Sequence, residues 1–256
     1  MKRAFIRGLW GIYSKKDDLI KRRYKMDYDV KNTVRNKFSP PSVTYVYGQE
    51  NFDHLKSLGV EDLKLVSKDP FAFNLSKHQY RHKLEIYKMA MEEYDEIIYI
   101  DWDCAAKRKL PNDLWDQMGK KDYCQANLQQ YKRIQCRWRK GKDTRKLPNG
   151  GFLYIRDKKF PDEIIDCWEN KVKGNSDEPA IARAMDIRSG GWMGPEKYWE
   201  LHEPIYCNLW SFSAFNKAYL KQKKKNLCFV HYQGMPSARY VKISEEKAKE
   251  QKKVKK

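Results

Sequence analysis

The chain has 256 residues, 41% hydrophobic and 14% aromatic, enough to bury a sizeable core in one large domain or two small ones. No run approaches the roughly 18 to 20 apolar residues that span a membrane, so a transmembrane segment is not expected. The formal net charge of +19 could serve nucleic acid, an anionic membrane face or a phosphorylated substrate, with solvated surface as the default reading of its two concentrations.

Met1 to Ile6 reads as a first strand; it opens like a signal peptide but turns polar at Arg7-Gly8, leaving no apolar h-region. Arg7-Gly8-Leu9-Trp10-Gly11 reads as the loop that follows. Lys15 to Lys37 is charged with scattered apolar residues and suits a surface helix or long insert, closed by Ser39-Pro40-Pro41. Val43 to Tyr47 has strand composition, Asn51 to Leu58 a short helix ended by Gly59, and Leu63 to Val66 a third strand. Ser76 to Tyr94 carries Leu84, Tyr87, Met91 and Tyr94 at helical spacing, and leads into a strand over Ile97 to Ile100. Further on, a Pro-Asn-Gly-Gly turn precedes a strand over Gly151 to Ile155. Helices are expected over Glu163 to Val172 and Asp177 to Met185, the latter capped by Ser176. Tyr198 to Ser213 is aromatic core or pocket wall, and Leu227 to His231 a final strand. Strands alternating with helices indicate an α/β layered sheet.

Two concentrations of charge stand apart from this pattern. Lys132 to Lys146 reads as an exposed basic loop, and residues 242–256 as a basic tail, frayed or disordered, beyond a domain over 1–241. The six cysteines (Cys104, Cys124, Cys136, Cys167, Cys207, Cys228) form no C-x-x-C pair, which argues against zinc ribbons and disulfide frameworks. A reducing, cytosolic setting is the simplest inference.

The most informative stretch is Glu96-Ile97-Ile98-Tyr99-Ile100-Asp101-Trp102-Asp103, a buried strand ending in two acids. At the open edge of an α/β sheet, ligands usually bind. If the chain stays extended, Asp101 and Asp103 project to one side. Carboxylates so close repel unless a cation sits between them, and Mg²⁺ or Mn²⁺ suits oxygen ligands and brings phosphates with it. Two solvated loop acids are the plain alternative.

Other residues accompany the pair: Tyr94-Asp95 before the strand, Pro148-Asn149-Gly150-Gly151-Phe152, Ser176-Asp177-Glu178 and Val230-His231-Tyr232-Gln233-Gly234. In this order they resemble the GT-A glycosyltransferases that use nucleotide sugars, and among them the glycogenin-like branch. The likeness runs from about Arg81 to Gly234, with Met1 to Gly11 as the matching first strand. It implies a single domain with a GT-A-type, Rossmann-like mixed sheet flanked by helices. It further implies a UDP-sugar donor, Mn²⁺ or Mg²⁺, and transfer to a hydroxyl of an oligosaccharide or glycoprotein acceptor. Asp103 would bind the metal directly, Asp101 the metal or the ribose, and His231 would add an imidazole ligand. Arg81 or Lys83 would hold the diphosphate. Arg7, Gly8 and Trp10 would cradle the base, and Asn149, Gly150 and Gly151 would lie against the sugar or acceptor. Trp192, Trp199 and Trp210 offer rings for an acceptor platform, or simply core packing.

Two departures matter. The branch carries Asp-Gln where this chain has Asp177-Glu178, and a carboxylate there could serve as a general base for inversion, whereas the branch retains configuration. The balance leans to inversion with retention open. The branch also continues His-x-x-Gly-x-x-Lys; here the last position is Ser237, and Arg239 is the nearest cation to take over the diphosphate contact. The tail-basic form without an anchor resembles glycosyltransferases of large DNA viruses and some bacteria, which work in the cytosol, the host's if viral. The rivals are a metal-dependent nucleotidyltransferase, whose Gly-rich loop Arg7 to Gly11 matches poorly, and a nucleic-acid-binding protein. Nucleic acid is the less expected partner, since the charge lies in a detachable tail and not in a continuous stripe. The residues do not select among glucose, galactose, xylose and N-acetylglucosamine.

Overall fold

A computed structural model describes residues 1–10, 17–67, 80–119, 124–128, 148–172, 177–188, 206–208 and 228–231. Its elements run in chain order β1 (Arg3–Leu9), α1 (Asp17–Arg35), β2 (Ser42–Tyr47), α2 (Gln49–Ser57), β3 (Leu63–Val66), α3 (Arg81–Glu93), β4 (Glu96–Ile100) and β5 (Cys104–Ala106). There follow α4 (Leu114–Met118), β6 (Cys124–Leu128), β7 (Pro148–Ile155), α5 (Phe160–Asn170), α6 (Asp177–Arg188), β8 (Tyr206–Asn208) and β9 (Phe229–His231). Six strands form a mixed sheet in the order β3-β2-β1-β4-β7-β6, and β5-β9-β8 form a second, small sheet.

Strands β3, β2, β1 and β4 are parallel, as βαβ connections demand, while β7 runs antiparallel to β4. All five residues of β4 are buried, as expected of a strand covered on both faces. Period-two alternation divides the core. Ile6, Ile97, Tyr99, Leu153 and Ile155 face α3, α5 and α6. Ile98, Ile100, Phe152 and Tyr154 face α4 and Phe229, and Leu9 and Val46 face Val30 of α1 and Leu55 of α2. The α/β fold with a mixed, helix-flanked sheet is therefore present. No helix among the described residues is long and apolar enough to cross a membrane.

Three expectations change. The first strand does not stop at Ile6 but continues to Leu9, so Arg7 and Gly8 sit inside the sheet and not on a loop. Parallel pairing with β2 carries them along, through Arg7 opposite Thr44 and Gly8 opposite Tyr45. Likewise Asn149-Gly150-Gly151 is not a turn before a strand but part of β7 itself. Third, Asp101 and Asp103 do not lie on an extended strand; the chain turns, with Cys104 N–H donating to the Asp101 carbonyl at 3.1 Å. The short elements β5, α4, β6 and β8 carried too few periodic residues to be expected. The basic run 132–146, the helix cap Ser176, Trp192, Trp199, Trp210, Arg239 and the tail 242–256 lie outside the described residues.

Gly8 shows how tightly the sheet meets α3. A Cβ there would stand 2.3 Å from Ile86 Cδ1 and 2.9 Å from the Trp10 ring. Overpacking of this kind costs about 1–3 kcal/mol. Gly8→Val should therefore lower the urea midpoint of unfolding by that equivalent; an unchanged midpoint would show that the β1–α3 packing is looser than described.

Candidate functional site

The end of β4 is where the chain concentrates its charge. Strand β4 stops because Asp101 enters the turn, and the turn is held from three sides. Asp101 N–H donates to the Gly151 carbonyl of β7 at 2.9 Å. Arg7 Nη1 donates to the Asp101 carbonyl at 3.0 Å. Trp102, between the two acids, points inward: it is 6% exposed, and its Nε1 donates to the Gly8 carbonyl at 3.0 Å. The Arg7 guanidinium stacks 4.9 Å from the centre of the Trp102 ring. With the tryptophan anchored in the core, the flanking carboxylates are left at the surface of the site.

Lys83, from the first turn of α3, organises those carboxylates. Its Nζ lies 3.2 Å from Asp101 and 2.9 Å from Asp177, the first residue of α6. Lysine and Asp177 side chains are each 3% exposed. Burial alone would lower the lysine pKa, but Asp101 and Asp177 outweigh it and hold the ammonium well above its ordinary value, so it stays charged. The β7 backbone closes over this pair at Gly150, where a Cβ would come 2.0 Å from an Asp177 oxygen and 3.0 Å from Lys83 Nζ. Only glycine lets the strand approach so closely. Between the two basic candidates, Lys83 is the one that reaches the acids; Arg81 turns away to Glu85 and Glu169.

His231 arrives from the far end of the sequence on β9, which pairs antiparallel with β5 and sets His231 opposite Cys104. Its Nε2 lies 3.0 Å from Asp103 Oδ1, and the ring is 2% exposed. Burial is the largest single influence and lowers its pKa, but the charge and hydrogen bond of Asp103 together with the charge of Asp101 outweigh it, and the net direction is upward. For Asp101 burial acts the other way. Crowding by protein, although 28% of the side chain stays accessible, raises its pKa ahead of the lowering by Lys83, and Asp103 adds to the rise. Three carboxylates, Asp101, Asp103 and Asp177, thus share one ammonium and one imidazole. The three acids outnumber the lysine and histidine they share, and the Arg7 guanidinium lies beneath the same turn. Oxygen and imidazole donors suit a hard or borderline divalent cation.

Arg7 is 1% exposed, and burial pulls its pKa down to about 10, with nearby Asp101 and Asp103 opposing. It supports the turn from beneath and also lines an open pocket with Ser42, Thr44, Asp62 and Trp102. Trp10 is half-buried and stacks on His82 at 6.1 Å between ring centroids, and Tyr47 meets the same imidazole edge-on. Glu178 is half-buried beside Asp177 at the start of α6. Asp103, Cys104 and His231 place one donor atom each within 4.8 Å of one another. Sequence reasoning missed Cys104, whose only signal was its place one residue after the acidic pair.

No protein-family model matches the chain, and no curated protein matches it significantly. Solved structures do. The galactosyltransferase LgtC, in complex with donor and acceptor sugar analogues, superposes with TM-score 0.54 and 14% identity over 94% of this chain and 95% of its own. A glycosyltransferase involved in glycosylation of the major capsid of PBCV-1 gives 0.51 and 12%, over 94% and 98%. The bifunctional glycosyltransferase WbbM gives 0.54 and 10% over 91% of this chain, which spans 46% of the WbbM chain. The chain has the GT-A glycosyltransferase fold.

Removing the shared ammonium leaves Asp101 and Asp177 repelling each other in a buried setting. Lys83→Met should cost about 3–5 kcal/mol in urea unfolding. A loss below about 1 kcal/mol would mean that the pair is solvated like a surface bridge. His231 gives a pH signature in metal-free buffer. Its folded pKa is raised, so its stabilisation is complete below the unfolded value near 6.5 and is lost as pH rises through the higher folded value. The difference in midpoint between wild type and His231→Gln should shrink as pH rises across that window; a difference independent of pH would rule out the charged pair.

Proposed function

We propose that the protein is a metal-dependent glycosyltransferase that moves a sugar from a UDP-sugar to a hydroxyl of a glycan or protein-linked glycan. The observation that carries this reading is the cluster of three acids around Lys83 and His231 at the end of β4, in a chain with the GT-A fold. A nucleoside diphosphate leaving group brings negative charge that needs a divalent cation and ammonium groups around it.

Asp103 and His231, with Asp101 alongside or on the ribose, would hold Mn²⁺ or Mg²⁺, which supplies neutralisation of the departing diphosphate. The chain's own groups do the rest. Asp101 and Asp177 accept hydroxyls of the donor, held at a fixed spacing by Lys83 between them. Lys83 keeps its charge through the reaction and stabilises negative charge that develops next to it. The β7 backbone at Gly150 and Gly151 lies against the sugar, with Asn149 on the same strand. Arg7, Gly8 and Trp10 lie on the nucleoside side, and Arg239 joins Lys83 in the diphosphate clamp. Glu178, adjacent to Asp177 at a helix start, takes the proton of the acceptor hydroxyl as it attacks the anomeric carbon, which gives inversion. An active-site Gln-to-Glu mutant of LgtC has been crystallised; in this chain a glutamate stands in the sequence itself. The order of motifs supports the glycogenin-like branch. The PBCV-1 likeness fits a viral source and work in the host cytoplasm. Cys104, Cys167 and Cys228 are free thiols, as a reducing compartment keeps them.

Incubating the purified chain with a panel of UDP-sugars should release UDP from one donor only when Mn²⁺ or Mg²⁺ is added. Asp103→Ala should remove that release by at least about 100-fold while leaving the unfolding midpoint within about 1 kcal/mol of wild type. Full activity in Asp103→Ala would overturn the site, and no release with no UDP binding would overturn the function.

A further inference from the structure

A hard cation has little use for sulfur, yet a thiol stands in the wall of the site. Cys104 is 1% exposed and lies directly opposite His231 in the β5–β9 pair. Opposed residues of an antiparallel pair share a face with their Cβ atoms close together. Strand register, and not a flexible side chain, therefore sets the sulfur beside the imidazole. Asp103 completes the group, its Oδ1 being 3.0 Å from His231 Nε2. All three donor atoms fall within 4.8 Å of one another. Metal bonds of about 2.0–2.3 Å place tetrahedral ligands roughly 3–4 Å apart, so small side-chain movements close the set. Asp101 is outside this trio because its carboxylate is spanned by Lys83.

We propose that Asp103, Cys104 and His231 form a site for a thiophilic divalent cation of the zinc, cobalt or cadmium type, overlapping the hard-cation site and competing with it. One sulfur, one imidazole nitrogen and one carboxylate oxygen make a typical donor set for such ions, with the fourth position left to water. On binding, the Cys104 S–H bond breaks as the sulfur–metal bond forms, and the proton leaves to solvent. The thiol's contact with the Gly151 carbonyl, at 3.2 Å, is given up. A dication with the Asp103 carboxylate, the Cys104 thiolate and a neutral His231 is electrically balanced. Because Asp103 and His231 are then occupied, Mn²⁺ is excluded; that consequence rests on the proposed function, whereas the binding itself does not.

Titrating the metal-free full chain with Co²⁺, under a non-thiol reductant, reads the sulfur directly. One equivalent should give a thiolate-to-cobalt charge-transfer band and the strong visible absorption of tetrahedral cobalt. Cys104→Ser should abolish the band and weaken Co²⁺ binding by about 10-fold or more, while Cys167→Ser, in the core against α3, keeps both. Cadmium NMR of the wild-type chain, which needs no variant, should show the downfield resonance of a sulfur-ligated ion. A weak octahedral cobalt spectrum, a band that survives in Cys104→Ser, or a cadmium resonance typical of oxygen and nitrogen ligands would overturn the proposal. Any of these alongside intact Mn²⁺-dependent UDP release would sink this inference alone and leave the glycosyltransferase reading standing.

Discussion

The buried contact of Lys83 with Asp101 and Asp177 is the constraint on which the rest of the site depends. One ammonium links the end of β4 to the start of α6 and lies under the β7 backbone at Gly150. Such a pair contributes little net stability in a core, because desolvating three charged groups offsets their attraction. Its value lies in position. It fixes two carboxylates at a set spacing at the end of β4, where the proposed cation and phosphorylated ligand would meet them.

The second device is the inward tryptophan. An acidic pair on an extended strand would rely on its own repulsion to set its geometry. Here Trp102 is bonded to Gly8 and covered by Arg7, and the turn around it presents Asp101 and Asp103 at the site. Arg7 shows how a buried cation can support a site from within the sheet. Buried and charged, it supports the Asp101 carbonyl from below. The core and the acidic turn are thus one packed unit, in which the sheet fixes the turn that carries the two acids.

Much of this architecture is legible in the sequence where periodicity is strong. The strands over 43–47, 63–66 and 97–100 emerge within a residue of their bounds, and the helix through Leu84, Tyr87 and Met91 is present from Arg81 to Glu93, its expected start at Ser76 lying outside the described residues. Asp103 and His231 are brought together as the motif order implied, although 128 positions (231 less 103) separate them. Three things were not legible. The polar pair Arg7-Gly8 looks like a loop, since a sequence does not reveal that a tryptophan 95 positions on (102 less 7) will cover a guanidinium. Asn149-Gly150-Gly151 looks like a turn, because Gly150 answers a close approach by Asp177 and not a backbone bend. Cys104 carries only the weak signal of following the acidic pair; its meaning comes from β5–β9 register, a long-range pairing of two three-residue strands.

The central claim is that the acid cluster at the end of β4 holds a divalent cation together with a nucleoside diphosphate. Electron paramagnetic resonance of free Mn²⁺, titrated against the protein with and without UDP, tests it most directly. The account predicts that the free-ion signal is lost on adding protein, that UDP tightens this binding, and that Asp103→Asn removes both effects. Mn²⁺ that stays free in the presence of protein and UDP, or binds Asp103→Asn equally well, would contradict it.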